Sequence, residues 1–198
     1  MSVAFLAKPD LPGPTAPSDE IDAETLRKAQ AGEREAVERF IRHYERRVFS
    51  FLSRAIGRGP EVEDLAQEVF VRAYRALPRF EQRAGAKLST WLLQIAVRLV
   101  IDSRKVRRLP VEPLHDRLQA DLQTPETHQR FHELVSALER AAAQLPQEQR
   151  VVLVLADSQG LDLQEIAIAT ETHVGTVKTR LFRARAHLKQ VLRQGSDE

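Results

Sequence analysis

Apolar residues recur at steps of three and four along most of this chain. Val37, Phe40, Ile41, Tyr44, Val48 and Phe51 or Leu52 make one such stripe, the spacing of a helix that buries a single face. The pattern predicts helices over 22–31 and 33–56, turning at Gly32. A third follows the break GRGP (57–60) and covers 61–77. A fourth covers 89–107, beyond the loop PRFEQRAGAK (78–87). Further helices are expected near 130–144, 147–158, 162–170 and 174–193. No stretch alternates with period two long enough to suggest a sheet. Prolines punctuate the rest: four in residues 1–20, then Pro110, Pro113 and Pro125. The expected fold is therefore all-α, with two small helical domains (21–107 and 131–194), a flexible linker (108–130) and a disordered leader (1–20).

The last helix carries the strongest chemical signal. VGTVKTRLFRARAHLKQVLR (174–193) holds six Lys or Arg and no acid. A solvated helix normally mixes signs, because opposite charges at i, i+4 support it and like charges repel. Val174, Val177, Leu181, Ala184, Leu188 and Val191 form its buried stripe. Lys178, Thr179, Phe182, Arg183 and Lys189 fall mainly off it. One-signed charge around an aromatic suits a polyanion: Arg forks onto guanine, and Phe meets a thymine methyl.

What precedes this helix gives it a setting. DLQEIAIAT (162–170) is a short helix with Asp162 as its cap and Glu165 three residues on, the spacing of a capping box. ETH (171–173) breaks the pattern, with Thr172 or His173 capping the basic helix. Short helix, tight turn and longer basic helix make a helix-turn-helix, whose second helix enters the major groove amino end first. Gly175 near that end lets backbone approach phosphate closely.

Charge and composition then bound the rest. Residues 21–110 hold 19 Lys or Arg against 12 acids, a net +7, while 111–130 carry −2. The chain has no cysteine, which excludes disulfides and thiolate metal sites. The apolar run at the amino end is too short for a signal peptide or a membrane span. Within 61–77, Val62, Leu65, Ala66, Val69, Ala73 and Leu77 turn inward, leaving Asp64, Gln67, Glu68, Val71 and Arg75 outside. Carboxylates at i, i+4 without a neighbouring His, Ser or Cys make no acid–base site. They suit a basic protein partner. In 79–108, Phe80 and Trp91 alternate with Arg98, Arg104, Lys105, Arg107 and Arg108. Single-stranded DNA binding needs that combination, with rings stacking on bases and cations tracking the backbone. Trp91 serves equally as a core residue. His128 and His132 have a metal-binding spacing but no third ligand. No metal and no cofactor is expected.

With these residues in place, the chain resembles the extracytoplasmic-function (ECF) sigma factors, small two-domain bacterial transcription initiation factors. The resemblance runs from about 24 to 193, through AQAGEREAVERFIRHYERRVFSFL, EDLAQEVFVRAYRALPRF, STWLLQIAVRLVIDSRKVRR, LPQEQRVVLVLADSQGLDLQEIA and VGTVKTRLFRARAHL, in family order. It implies that helix 61–77 docks on the clamp helices of the RNA polymerase largest subunit through Asp64, Gln67, Glu68 and Arg72. It implies that 78–108 opens the −10 element and holds a flipped base, with Ala76, Phe80, Ile95 and Arg98 matching the pocket. The helix-turn-helix would read the −35 element through Lys178, Thr179, Phe182 and Arg183, with Thr176 and Arg180 on the same helix. The implied partners are core polymerase, promoter DNA as duplex and as melted single strand, and an anti-sigma protein. The expected setting is the cytoplasm, with no membrane insertion and no enzymatic activity. Two positions depart from the family pattern. Arg98 stands where Asn is frequent, and Glu171 where the turn usually has Gly. A left-handed conformation there costs a non-glycine roughly 1–2 kcal/mol, so a reshaped turn is expected.

Two other classes compete. A stand-alone helix-turn-helix repressor or activator would use only 131–193 and needs neither the acidic helix nor the aromatic, basic loop. A helical metalloenzyme built on His128 and His132 lacks a ligand set.

Overall fold

The computed structural model describes residues 20–57, 59–81, 87–103, 137–138 and 140–194. The fold begins at α1 (Ala23–Gln30), where the Asp22 carboxylate accepts from the Thr25 amide at 2.8 Å and the Thr25 hydroxyl at 2.6 Å. Gly32 turns the chain in the left-handed region, at φ 82°, where a side chain would be strained. α2 (Arg34–Ile56) is the spine of this half, with Phe40, Tyr44, Val48, Phe51 and Leu52 fully buried. α3 (Pro60–Ala76) starts with its proline in the first turn, where the missing N–H has no helical partner to lose. A 3₁₀ turn, Leu77–Arg79, leads towards α4 (Leu88–Asp102). The helix predicted over 89–107 ends earlier than expected. Ser103 has already left helical geometry, at φ −73° and ψ 93°.

Glu20, the last residue of the stretch read as a leader, is tied into this fold. Lys87 gives α4 no side-chain cap. Glu20 supplies one from 68 residues away in sequence, accepting from the amides of Leu88 at 2.9 Å and Ser89 at 3.1 Å. The Tyr44 hydroxyl donates to the same carboxylate at 3.1 Å. Two orphan amides and a tyrosine hydroxyl are thus met by one acidic group at a helix amino end, where its charge also suits the dipole.

The second half comprises a helical stretch at 140–144, then α5 (Gln147–Asp157), α6 (Leu163–Thr170) and α7 (Val174–Gln194). Val151 to Leu155 are all buried. Five consecutive buried residues must be covered on several sides, and α5 lies between α2 and α7. The expected capping box is present at α6. Asp162 Oδ1 accepts from Gln164 and Glu165, each at 2.8 Å, and Glu165 returns a bond to the Asp162 amide at 2.9 Å. No strand occurs among the described residues. The linker at 108–130, His128 and His132 lie outside them.

The two halves pack on each other, α2 against α5 and α4 against α6, and share one apolar cluster. Polar groups line the seam. Arg54 donates to the Ser158 hydroxyl at 2.7 Å and Arg47 to the Gln159 carbonyl at 3.3 Å. The largely buried Arg150 reaches the Ala55 carbonyl at 3.3 Å while also bonding the Ala143 and Leu145 carbonyls.

Candidate nucleic-acid interface

The helix-turn-helix forms as the spacing predicts. α6 and α7 are joined by Glu171, Thr172 and His173, and the carbonyl of His173 accepts the first bonds of α7, from Thr176 and Val177. The turn is not reshaped. Glu171 itself adopts the left-handed conformation, at φ 51° and ψ 40°. Its amide bonds Ile168 and the Thr172 amide bonds Ala167, the two hydrogen bonds of a Schellman ending. These bonds, with the Thr170 hydroxyl closing onto the Ile166 carbonyl at 2.7 Å, offset the missing glycine.

α7 divides as its periodicity implies. Val177, Leu181 and Ala184 are buried, and Val174, Leu188 and Val191 partly so. Thr176, Lys178, Thr179, Phe182 and Arg183 are exposed and Arg180 is partly so. Phe182 is 75% exposed, so it does not cover the edge of its own core. The Thr179 hydroxyl donates to the Gly175 carbonyl at 3.0 Å, which leaves its oxygen lone pairs as the free function. Arg185, which the charge pattern does not single out, turns away to pair with Asp157 at 2.6 Å.

Gly175 is exposed, and a Cβ built there meets nothing within 4 Å. The fold does not require this glycine. Gly175→Ala should therefore leave folding stability unchanged or raise it by up to about 1 kcal/mol. It should nonetheless weaken duplex DNA binding, if the helix end meets phosphate through its backbone. Thermal melts and duplex titration of the same variant check both halves, and unchanged affinity would remove the backbone–phosphate contact.

A second site opens between the halves. Phe80 and Trp91 lie with ring centroids 4.9 Å apart at 48°, both partly buried against the core. They line a cleft of about 520 Å³ together with Arg79, Lys87, Thr90 and Gln94. Glu81 and, from α6, Ile168 complete its wall. The core and stacking readings of Trp91 are thus compatible. Of the other residues matched to a base pocket, Ala76 and Arg98 are exposed and Ile95 is partly buried, but none of the three lines this cleft. Arg104 and Lys105 lie outside the described residues. Arg79, Lys87, Thr90 and Gln94 were not singled out by sequence. Packing alone brings them to the cleft. Gln30 ties down the backbone that leads into Phe80, donating to the Phe80 carbonyl at 2.7 Å and that of Leu77 at 3.1 Å.

The outer face of α3 carries the third set. Asp64, Gln67 and Arg72 are exposed and Glu68 partly so. Arg72 pairs with Glu68 at 2.6 Å, so Asp64 is the carboxylate of this face that no helical pair neutralises. Val71 and Tyr74 add apolar surface beside them, at 42% and 52% exposure.

The two departures from the family pattern meet each other. Arg98 and Gln94, one turn apart on α4, both donate to Glu171 Oε1, Gln94 at 2.7 Å. The Arg98 hydrogen bond is the main cause that holds the Glu171 carboxyl below the usual carboxylate range. Lys87 pairs with Glu165 at 2.7 Å, which raises its own pKa.

Comparison with known proteins decides what these surfaces belong to. Residues 40–109 match the model for Sigma-70 region 2 and residues 136–188 that for Sigma-70, region 4. The ECF RNA polymerase sigma factor SigW of Bacillus subtilis (strain 168) is 31% identical over 179 residues, 85% of this chain and 95% of that one. This chain belongs to the ECF sigma factors. The sigma-E factor of Escherichia coli (strain K12) is also 31% identical, over 83% of this chain and 90% of its own. RNA polymerase sigma-H factor of Pseudomonas aeruginosa is 28% identical over 88% and 95%. Two solved structures share the fold of this sigma factor. CnrH, in complex with the cytosolic domain of CnrY, superposes with a TM-score of 0.62 at 22% identity, covering 86% of this chain and 96% of CnrH. RpoE of Bartonella quintana, in complex with the anti-sigma factor NepR, gives 0.58 at 21%, covering 79% and 96%. The sigma factor thus directs RNA polymerase to promoters, and the stand-alone repressor is set aside: its matched region 2 lies outside any lone helix-turn-helix.

Proposed function

We propose that this sigma factor divides promoter recognition among its three exposed surfaces. The α7 face of Lys178, Thr179, Phe182 and Arg183 reads the −35 element as duplex. The Phe80–Trp91 cleft takes unpaired bases of the −10 element. Asp64, Gln67, Glu68 and Arg72 dock on the clamp helices of polymerase. The observation that carries this reading is Phe182, 75% exposed among cations on the second helix of a helix-turn-helix, since nothing in the isolated fold gains from leaving it there. Run-off transcription with core polymerase on a randomised promoter library tests it, and initiation without preference at −35 positions overturns the α7 assignment.

The cleft has its own test. Trp91→Ala should slow promoter opening more than initial promoter binding, because base–aromatic stacking acts only on unpaired DNA. A fork template already open at −10 should partly rescue the variant. Equal defects on closed and open templates, in a folded protein, would make Trp91 a core residue alone.

An anti-sigma partner is part of the same proposal. RpoE, which shares the fold, was solved with an anti-sigma factor. Among the described residues no helix is long and apolar enough to cross a membrane, and we place the protein's work with polymerase in the cytoplasm. It acts by binding, without catalysis of its own.

A further inference from the structure

We propose that Glu20 and Gln30 are positioning residues for promoter opening: from the two ends of α1 they fix the two walls of the Phe80–Trp91 cleft, and so the gap between its rings. The proposal rests on the reading of that cleft as the −10 site. Its walls come from separate stretches. One is the 3₁₀ turn with Phe80 just after it, and the other is the amino end of α4 with Thr90, Trp91 and Gln94. Each wall is tied to the same short piece of chain. Gln30, the last residue of α1, donates through Nε2 to the carbonyls of Leu77 and Phe80, 47 and 50 residues away. Glu20, two residues before the Asp22 cap of α1, accepts from the amides of Leu88 and Ser89, 68 and 69 residues away. α1 is thus a spacer with one wall of the cleft held at each end.

Both ties depend on donor and acceptor chemistry atom by atom. Glu20 Oε1 accepts from the Ser89 amide, and Oε2 from the Leu88 amide and the Tyr44 hydroxyl. Tyr44 is fully buried, and its oxygen in turn accepts from the Ile21 amide at 3.3 Å, which orients the carboxylate. Leu88 and Ser89 are buried, so water is a poor substitute for this acceptor. A glutamine at position 20 would fail, because its NH₂ would face an N–H donor whichever way it turned. Position 30 is the converse: two carbonyls need a donor, and a carboxylate there would face two acceptors. The rings follow the backbone that these ties hold. The Trp91 amide bonds the Lys87 carbonyl at 3.1 Å, so where α4 begins decides where Trp91 stands. The Phe80 carbonyl is itself a bonded atom of the Gln30 tie. A small displacement of a positioning group lowers rate steeply, and neither Glu20 nor Gln30 need touch DNA to cause one.

Isosteric exchange separates this role from bulk packing, since Glu20→Gln and Gln30→Glu keep shape and reverse the bonding. In the holoenzyme, on a promoter recovered from the randomised library, each should slow opening by about tenfold, the factor that one hydrogen bond carries. Initial promoter binding should change little, and a fork template already open at −10 should partly restore both variants. The free full-length chain gives a second readout, because Trp91 is its single tryptophan. Acrylamide should quench Trp91 more readily in both variants as its support loosens. Val48→Ala is the control: it removes buried bulk from α2 and lowers the melting temperature without altering an atom of either tie. At a temperature where every variant is folded, Val48→Ala should open promoters and quench as the unsubstituted chain does. Opening at the unsubstituted rate in Glu20→Gln and Gln30→Glu, or equal defects in Val48→Ala, overturns the positioning role. If quenching rises in both isosteric variants but Trp91→Ala is equally defective on closed and forked templates, the −10 reading fails while the support of the ring pair stands.

Discussion

Asp64→Arg combined with Glu68→Arg should reduce binding to core RNA polymerase by at least about 100-fold while leaving helix content unchanged. Removing one member of a desolvated, hydrogen-bonded charge pair at an interface costs about 2–5 kcal/mol, and each 1.4 kcal/mol is tenfold in affinity. Reversal adds repulsion to that cost. The fold has little stake in either side chain. Both lie on the face of α3 away from Val62, Ala66, Val69 and Ala73, which are buried. The local consequence is confined to Arg72, which is deprived of its partner at 2.6 Å and meets a like charge one turn away, an effect of a few tenths of a kcal/mol. A pull-down with core polymerase, calibrated by circular dichroism of the same sample, measures both quantities. Undiminished binding by the folded double variant would move the docking surface elsewhere. Val71 and Tyr74, exposed beside it, would then be the next residues to test.

The parts that sequence revealed are those where one residue's neighbours lie three or four positions away. The stripes of α2, α3 and α7, the capping box at α6 and the bounds of the helix-turn-helix depend on such local spacing. So does the exposure of Lys178, Phe182 and Arg183, which follows from which face Val177, Leu181 and Ala184 bury. What stayed hidden is long-range. Nothing in the sequence connects Glu20 with the amide of Leu88, or Gln30 with the carbonyl of Phe80. The cleft shows the same limit: Phe80 and Trp91 stand out as aromatics, while Lys87, Thr90 and Gln94 become site residues only through the packing of α4.

The turn is the instructive error. Local propensity opposes a left-handed conformation without glycine by roughly 1–2 kcal/mol, and on that ground alone the turn should be reshaped. Glu171 holds the conformation anyway, under the Schellman hydrogen bonds and the bonds from Arg98 and Gln94. Tertiary structure outweighs the local preference. The two departures from the family pattern, unrelated when read along the chain, are partners in space.

Arg183→Ala should lower affinity by roughly 1–3 kcal/mol at one position of the −35 element and relax base preference there, the worth of one good base contact. The helix gives the reason for choosing Arg183. It lies near the middle of α7 on the face opposite Val177, Leu181 and Ala184, exposed beside Phe182, where a helix entering the major groove amino end first meets base edges. Arg185, two residues on, is held by Asp157 at 2.6 Å and is the natural comparison. Its removal should leave base preference untouched. Lys189 and Arg193 are exposed one to three turns further along, where the groove falls away and phosphate is the only partner in reach. Lys189→Ala should weaken all sequences alike and lower the salt dependence by about one unit of slope, the share of one neutralised phosphate. The measurement is binding of the holoenzyme to single-base variants of the −35 element at several salt concentrations. A base reader changes the ranking of the variants, whereas a phosphate anchor shifts them together. If Arg183→Ala lowers every variant equally and reduces the salt slope, Arg183 is an anchor, and base recognition passes to Lys178 and Phe182.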